Sequence, residues 1–194
     1  MVNKIILASK SKVRKKILEK NGISCLVKPA HIDEDLIKES LLKIGATPDI
    51  ISKNLAELKA NKISKKTNGE IVLGADSVIN LNENIISKPF NREDAMNILK
   101  KLNGKKHELI SSVCISKNGS MIWNYTDKAT LTMKNMNEKD LKFYLEKITD
   151  EALYAYNVYQ IEGEGRTLFS NIEGDEDTIM GLPIKKIKEY LNSI

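Results

Sequence analysis

At 194 residues, 41% hydrophobic and 29% charged, the chain is long enough to bury a substantial core and needs no second domain, so residues 1–194 read as one domain, at most in two lobes. The formal net charge of +5 comes from 28 Lys against 3 Arg, beside 25 Ile and 18 Asn. That bias points to AT-rich coding and away from a nucleic-acid surface, where Arg would grip phosphates and bases with bidentate contacts. Cys25 and Cys114 lie far apart, with no Cys-x-x-Cys and no nearby His pair, so neither a disulfide framework nor a zinc site is indicated. No apolar run is long enough to span a bilayer; the expected setting is the cytoplasm, with no membrane and no nucleic-acid partner.

In chain order, residues 2–8 read as a first strand, followed by Ser9, Lys10 and Ser11 and by a helix whose Val13, Ile17 and Leu18 share a face before Gly22 stops it. Strand, short loop and helix leave backbone N–H groups and the positive end of a helix dipole facing open space, and Lys10, Lys12 and Arg14 add charge there. A Ser N-cap followed by a solvated basic face accounts for the same residues. Residues 23–27 read as a second strand ending at Pro29, and Asp33, Glu34 and Asp35 open a helix that runs to about Leu42. Acids complement the start of a helix; equally, a carboxylate there can share a divalent metal with a second acid, since magnesium bound with phosphates needs only one or two. Thr47 and Pro48 open the next helix, where Ile51, Leu55 and Leu58 recur at helical spacing. Lys59, adjacent to them, need not face fully into solvent.

The rest of the chain is organised around 70–77, an apolar run that reads as a buried strand ending in Gly74, Ala75 and Asp76. Ligands of open α/β sheets bind at strand carboxyl ends, and small residues there allow close approach; a turn in which Asp76 caps its own backbone is the alternative. Residues 78–81 and 85–87 flank Asn82, Glu83 and Asn84 as a hairpin with a three-residue loop that returns Lys88 and the stiffening Pro89 toward the acid. An amphipathic helix from Asn91 ends at Gly104, and strands over 107–115, 121–125 and 129–133 surround a turn at Asn118 and Gly119. His107 reads as structural, because no acid or nucleophile is placed to make it a base, and Trp123 reads as core. A helix capped at Asn137 runs to Glu146, residues 156–162 read as a strand, and Gly163 to Gly165 as a turn more than a phosphate cradle. A last strand over 167–172 precedes Gly181, Leu182 and Pro183, where the C-terminal helix begins.

Taken together, the run Leu7 to Ser11, Arg14, Asp33-Glu34, the run Leu55 to Ala60, Gly74-Ala75-Asp76, Lys88-Pro89, Gly104 to His107 and Gly181-Leu182-Pro183 resemble, in order and from end to end, the Maf family of nucleotide pyrophosphatases. The resemblance implies an α/β fold of the kind shared with inosine triphosphate pyrophosphatase, a long mixed sheet flanked by helices with a cleft between two lobes. It also implies hydrolysis of a nucleoside triphosphate to the monophosphate and pyrophosphate with a divalent metal cation, Mg or Mn, usually in a homodimer. Position by position, Asp76 matches the catalytic acid, Glu34 the carboxylate that shares the metal with it, and Ser9, Arg14, Lys59 and Lys88 the triphosphate-binding residues, with Lys10, Ser11 and Ser77 read as substrate-binding beside them. The chemistry agrees: attack of water on the α-phosphorus needs a base to orient it and cations to neutralise the phosphate oxygens.

The sequence also departs from the family pattern. Ser-Pro-Arg-Arg is here Ser11-Lys12-Val13-Arg14, Ser77 stands where many members have Thr, Lys-Ala-Gly-Ala-Tyr is here 155–159, and a Gln of the pyrimidine-preferring branch is Glu162. Glu162 is similar to the branch acting on 7-methyl-GTP. A carboxylate can accept two hydrogen bonds from the N1–H and amino group of guanine, whereas Gln offers one donor and one acceptor. The expected substrate is therefore 7-methyl-GTP or another modified, purine-like triphosphate. A dTTP/UTP pyrophosphatase of the same family and a regulatory binding protein of division or septum formation are the alternatives.

Overall fold

The computed structural model describes residue 2 and residues 4–194, apart from the side chains of 154–156; Asn3 of the expected first strand and the side chains at 155 and 156 of the expected base-reading segment lie outside the described residues. Its centre is a seven-stranded mixed sheet in the order β2-β1-β3-β5-β6-β7, with β4 on the side of β3. The strands are β1 (Lys4–Leu7), β2 (Ser24–Val27), β3 (Val72–Leu81), β4 (Asn84–Ile86), β5 (Lys106–Lys117), β6 (Ser120–Met133) and β7 (Phe169–Glu173). The helices are α1 (Lys12–Lys20), α2 (Glu34–Lys43), α3 (Pro48–Ser64), α4 (Arg92–Leu102), α5 (Glu138–Lys147), α6 (Asp150–Tyr156), α7 (Glu176–Ile179) and α8 (Ile184–Ser193). The α/β class is as expected, and among the described residues no helix is long and apolar enough to cross a membrane.

The period of two along a strand sorts the layers. Leu73 and Ala75 of β3 pack with Ile5, Leu7, Val113 and Ile115 beneath α1 and α8. The alternate residues of β3 and β5, Gly74 and Cys114, meet α3, where Ala56 and Ala60 are fully buried. A second apolar cluster, with Ile79, Leu99, Leu131, Tyr144 and Val158, fills the far end of the sheet beneath α4 and α5. Asp76 and Ser77 fall between these two cores. A polar belt crosses the sheet there, since Asp76 pairs with Ser112 and Ser77 with Ser111, and on the next strand these face Thr126 and Asp127.

Several elements differ from expectation. Asp76 is not at the end of a strand: β1 pairs with β3 only at Val72 and Leu73, but antiparallel β5 pairs with β3 from Val72 to Asn80 and carries the strand past the acid. The hairpin loop is two residues, Asn82 and Glu83, both with positive φ (51° and 66°), because Leu81 already pairs with Asn84, which is the twist-matched turn that short hairpins favour. Residues 126–128 do not interrupt β6. Residues 156–162 form no strand: α6 is followed by turns and a 3₁₀ helix (Glu164–Leu168). Asn157 at φ 69° breaks any extended run, and the buried Val158, Tyr159 and Ile161 plug the second core instead. On α3 the inward stripe is Ile51, Leu55 and Lys59, while Leu58 is 42% exposed. His107 is structural, as expected: it is buried, with Nε2 3.0 Å from the Tyr159 hydroxyl. Trp123 is half-buried and stacks on Tyr190 of α8 at 4.9 Å between ring centroids.

Candidate active site

Gly74 sets the spacing on which the site depends. A Cβ at this position would lie 2.2 Å from the Ala56 carbonyl oxygen and 2.7 Å from the Ala60 nitrogen, so only glycine lets the α3 backbone rest directly on β3. Two residues on, and therefore on the same face, Asp76 meets the next inward residue of α3. The Lys59 ammonium lies 2.7 Å from Asp76 Oδ1 and 2.9 Å from Glu34 Oε1. Lys59 is 7% exposed and Asp76 5%, so water screens their pairing little. Ser52, two turns earlier on α3, donates its hydroxyl to the Asp76 backbone carbonyl at 3.1 Å. Glu34 enters at the first turn of α2, which is capped by Asp33 accepting from the Leu36 N–H.

Ser77 points to the opposite face and meets Arg14 of α1. The Arg14 guanidinium donates to Ser9 Oγ (3.2 Å), the Ala75 carbonyl (2.9 Å), Ser77 Oγ (3.1 Å) and the Gly181 carbonyl (2.9 Å). Four of the five N–H groups of a guanidinium are thus spent on joining the loop after β1, the centre of β3 and the turn before α8. That turn needs a glycine: Gly181 has φ +91°, and a Cβ there would stand 3.0 Å from Ser77 Oγ and 3.1 Å from Arg14 Nη2. The belt continues inward, with Ser77 Oγ 2.8 Å from Ser111 Oγ, Ser111 donating to the Thr178 carbonyl at 2.7 Å, and Thr178 Oγ1 donating to Asp127 Oδ2 at 2.7 Å.

The charged groups act on one another as one cluster. Burial alone would raise the Glu34 carboxyl, but the charge and hydrogen bond of Lys59, helped by Lys38 and Lys88, hold it below the usual carboxylate range. Burial pulls Lys88 below its ordinary value and repulsion from Arg14 adds to this, against attraction by Glu34 and Asp76. Arg14 is lowered by burial, again against Asp76 and Glu34. Asp76, Glu34, Lys59, Arg14 and Lys88, scattered in sequence, are therefore gathered at one place. Ser9 joins them through Arg14, and Ser11 caps α1 by accepting from the Arg14 N–H. Lys10 is exposed. Glu162 is exposed on the turn after α6, and Asn157 of the same segment donates to the Ser87 carbonyl beside Lys88 at 3.5 Å.

Ser52, Ser111, Thr178 and Asp127 were not anticipated as supports. The signal was present in 109–115, where two serines interrupt a buried apolar strand; buried hydroxyls require partners. Among the described residues no group of three or more His, Cys, Asp or Glu could hold a metal by itself. Asp76 and Glu34 nevertheless fit a hard divalent ion that takes its remaining oxygens from phosphates and water, and Asp76 Oδ2 is buried without a hydrogen-bond partner.

Comparison with known proteins gives the family. Residues 4–194 match the family model "Maf-like protein". The chain is 73% identical over 194 residues, 100% of each, to a nucleoside triphosphate pyrophosphatase of Pelagibacter ubique (strain HTCC1062). It is 38% identical over 184 residues, 95% of this chain and 92% of the other, to a 7-methyl-GTP pyrophosphatase of Brucella abortus biovar 1 (strain 9-941). A solved HAM1 protein from Coxiella burnetii aligns at 14% identity over 69% of this chain and 74% of that one with a TM-score of 0.47. On the family match and on the identity to these relatives, the chain belongs to the Maf family.

Proposed function

We propose that this chain hydrolyses a nucleoside triphosphate to the monophosphate and pyrophosphate, with Asp76 as the base that orients and deprotonates the attacking water. The observation that carries the reading is the convergence of Asp76 and Glu34 with Lys59, Arg14 and Lys88. Lys59 and Lys88 neutralise charge on the phosphate oxygens, and the one N–H that Arg14 does not spend on the protein, together with the Ser9 loop, adds to that field. A divalent cation, Mg or Mn, held by Asp76 and Glu34 together with the substrate phosphates, supplies Lewis-acid charge neutralisation. The relatives named as nucleoside triphosphate pyrophosphatases support the assignment.

For the base, we favour 7-methyl-GTP or another modified purine-like triphosphate over dTTP and UTP. Glu162 supports this through its two acceptor oxygens and its charge, and the named activity of the Brucella relative agrees. We take the working unit to be a homodimer; the exposed Leu36, Leu42 and Ile44 (59%, 48% and 79%) on and after α2 offer apolar surface to cover. The test is pyrophosphate release from 7-methyl-GTP, CTP, UTP and dTTP with magnesium or manganese, using the wild type and Asp76→Asn. The variant is expected to lose on the order of 10²-fold or more in rate. Near-full turnover in the variant removes Asp76 from the mechanism, and a clear dTTP preference defeats the base assignment.

A further inference from the structure

We propose that in the nucleotide-free protein Lys59 is the resident cation of the metal position, so that ammonium and divalent ion compete for the Asp76–Glu34 pair and the ion enters only with the polyphosphate. This rests on the function proposed above. The Lys59 Nζ bridges the two carboxylates at 2.7 and 2.9 Å, the place a cation shared by them would take. Its backbone is held in place, because Gly74 seats α3 against β3 one residue away, at Ala60, while its long side chain can still turn from carboxylate to phosphate. Of the two carboxylate oxygens that Lys59 does not contact, Asp76 Oδ2 is buried with no hydrogen-bond partner among the described residues, so the pair still has an oxygen to offer.

Charge decides the order of events. Two carboxylates stand against the cations of Lys59, Arg14 and Lys88, which already leaves the cluster net positive. A bare divalent ion would add two more positive charges where the Lys59 ammonium already stands 2.7 and 2.9 Å from the two carboxylates, and like charges so close repel. A triphosphate reverses that balance. It gives Lys59 phosphate oxygens in exchange for the carboxylates and gives the divalent ion its missing ligands. The same lysine thus keeps two close acids from repelling each other when the site is idle and binds phosphate when it works.

Manganese binding, read as the excess Mn²⁺ on the protein side of an equilibrium-dialysis membrane with tripolyphosphate equal on both sides where it is used, tests this without turnover. In nucleotide-free protein Lys59→Met is expected to bind Mn²⁺ at least about tenfold more tightly than the wild type, and adding Glu34→Gln is expected to cancel the gain. Inorganic tripolyphosphate should tighten Mn²⁺ binding to the wild type. Tripolyphosphate-dependent binding in the wild type with no gain in Lys59→Met overturns the competition alone. No Mn²⁺ binding to the wild type even with tripolyphosphate overturns both the competition and the metal assignment beneath it. Should Lys59→Met not fold, the ¹⁵N ammonium resonance of Lys59 in the wild type serves instead: a shift on adding magnesium with tripolyphosphate supports exchange of its partners, and an unmoved resonance overturns it.

Discussion

Gly74→Ala is the most direct test of how the site is positioned. The added methyl would stand 2.2 Å from the Ala56 carbonyl oxygen, 2.7 Å from the Ala60 nitrogen and 2.9 Å from Ala60 Cβ. All three are on the helix backbone or its first carbon, so no rotamer relieves the contact. Restoring ordinary non-bonded separations of about 3.5 Å moves α3 away from β3 by roughly 1 Å. Overpacking of this kind costs about 1–3 kcal/mol, and with backbone on one side the upper end applies, which lowers the melting temperature by about 6–12 °C in a chain of this size. The same displacement stretches the 2.7 Å contact between Lys59 and Asp76, and a misplacement of about 1 Å costs on the order of 10²-fold in rate. Thermal unfolding and steady-state pyrophosphate release, measured well below the melting point of the variant, separate the two losses. Gly163→Ala, whose Cβ would meet nothing nearer than 3.8 Å, is the control and should leave the melting temperature unchanged. A Gly74→Ala protein that melts with the wild type and turns over at its rate refutes the account of α3 as the element that delivers Lys59.

Arg14→Lys keeps the charge and loses the planar fork, so the contacts to the Ala75 and Gly181 carbonyls fail; we expect a lower kcat and a lower melting temperature, whereas a rise in KM with unchanged stability would assign Arg14 to phosphate binding alone. Gly181→Ala should destabilise by about 1–2 kcal/mol from its left-handed backbone, and by more because Ser77 Oγ and Arg14 crowd the new methyl; urea unfolding at the wild-type midpoint would contradict this. Burial depresses His107 from 6.5 to about 4, so the unfolded chain takes up its proton before the native one does. Its contribution is therefore constant above pH 6.5 and turns destabilising as pH falls from 6.5 to 4, by about 3 kcal/mol in all. Urea unfolding at pH 7.5 and pH 5 should show a smaller difference in His107→Gln, and an identical difference would refute it.

How much of this was legible varies with the range of the interaction. Local rules placed α1, α2 and α3 well, because Ser11, Asp33 and Thr47 each cap with their own side chains and capping depends on neighbours only. The break at 156–162 was not legible from period: Val158, Tyr159 and Ile161 are apolar because they plug a core, and a plug shows the same composition as a strand. Leu58 recurs at helical spacing with Ile51 and Leu55, yet the inward stripe passes instead through Lys59, which a hydrophobic count discards. The five charged residues of the site were all named from the sequence through the family resemblance. Their supports were not, because the link from Ser77 to Ser111, Thr178 and Asp127 joins residues that only the register of β3, β5 and β6 brings together.

The placement of Asp76 within a continuous strand does not remove the advantage of a strand end; it transfers it to a neighbour. On one side β3 is paired without a break by β5. On the other side β1 stops at Leu7, opposite Leu73, and β4 begins only opposite Ile79. The backbone between them borders a notch in the sheet, where the Ala75 carbonyl is satisfied by the Arg14 side chain. The notch opens where the carboxyl end of parallel β1 runs into the Ser9 loop and the start of α1, the kind of crevice in which open α/β sheets bind ligands. A continuous strand holds the acid rigidly, and a shortened neighbour gives it access. Filling that notch by lengthening β1 should therefore close the site and take the Ala75 carbonyl from Arg14; pyrophosphate release at the wild-type rate by such a variant would refute the notch as the entrance.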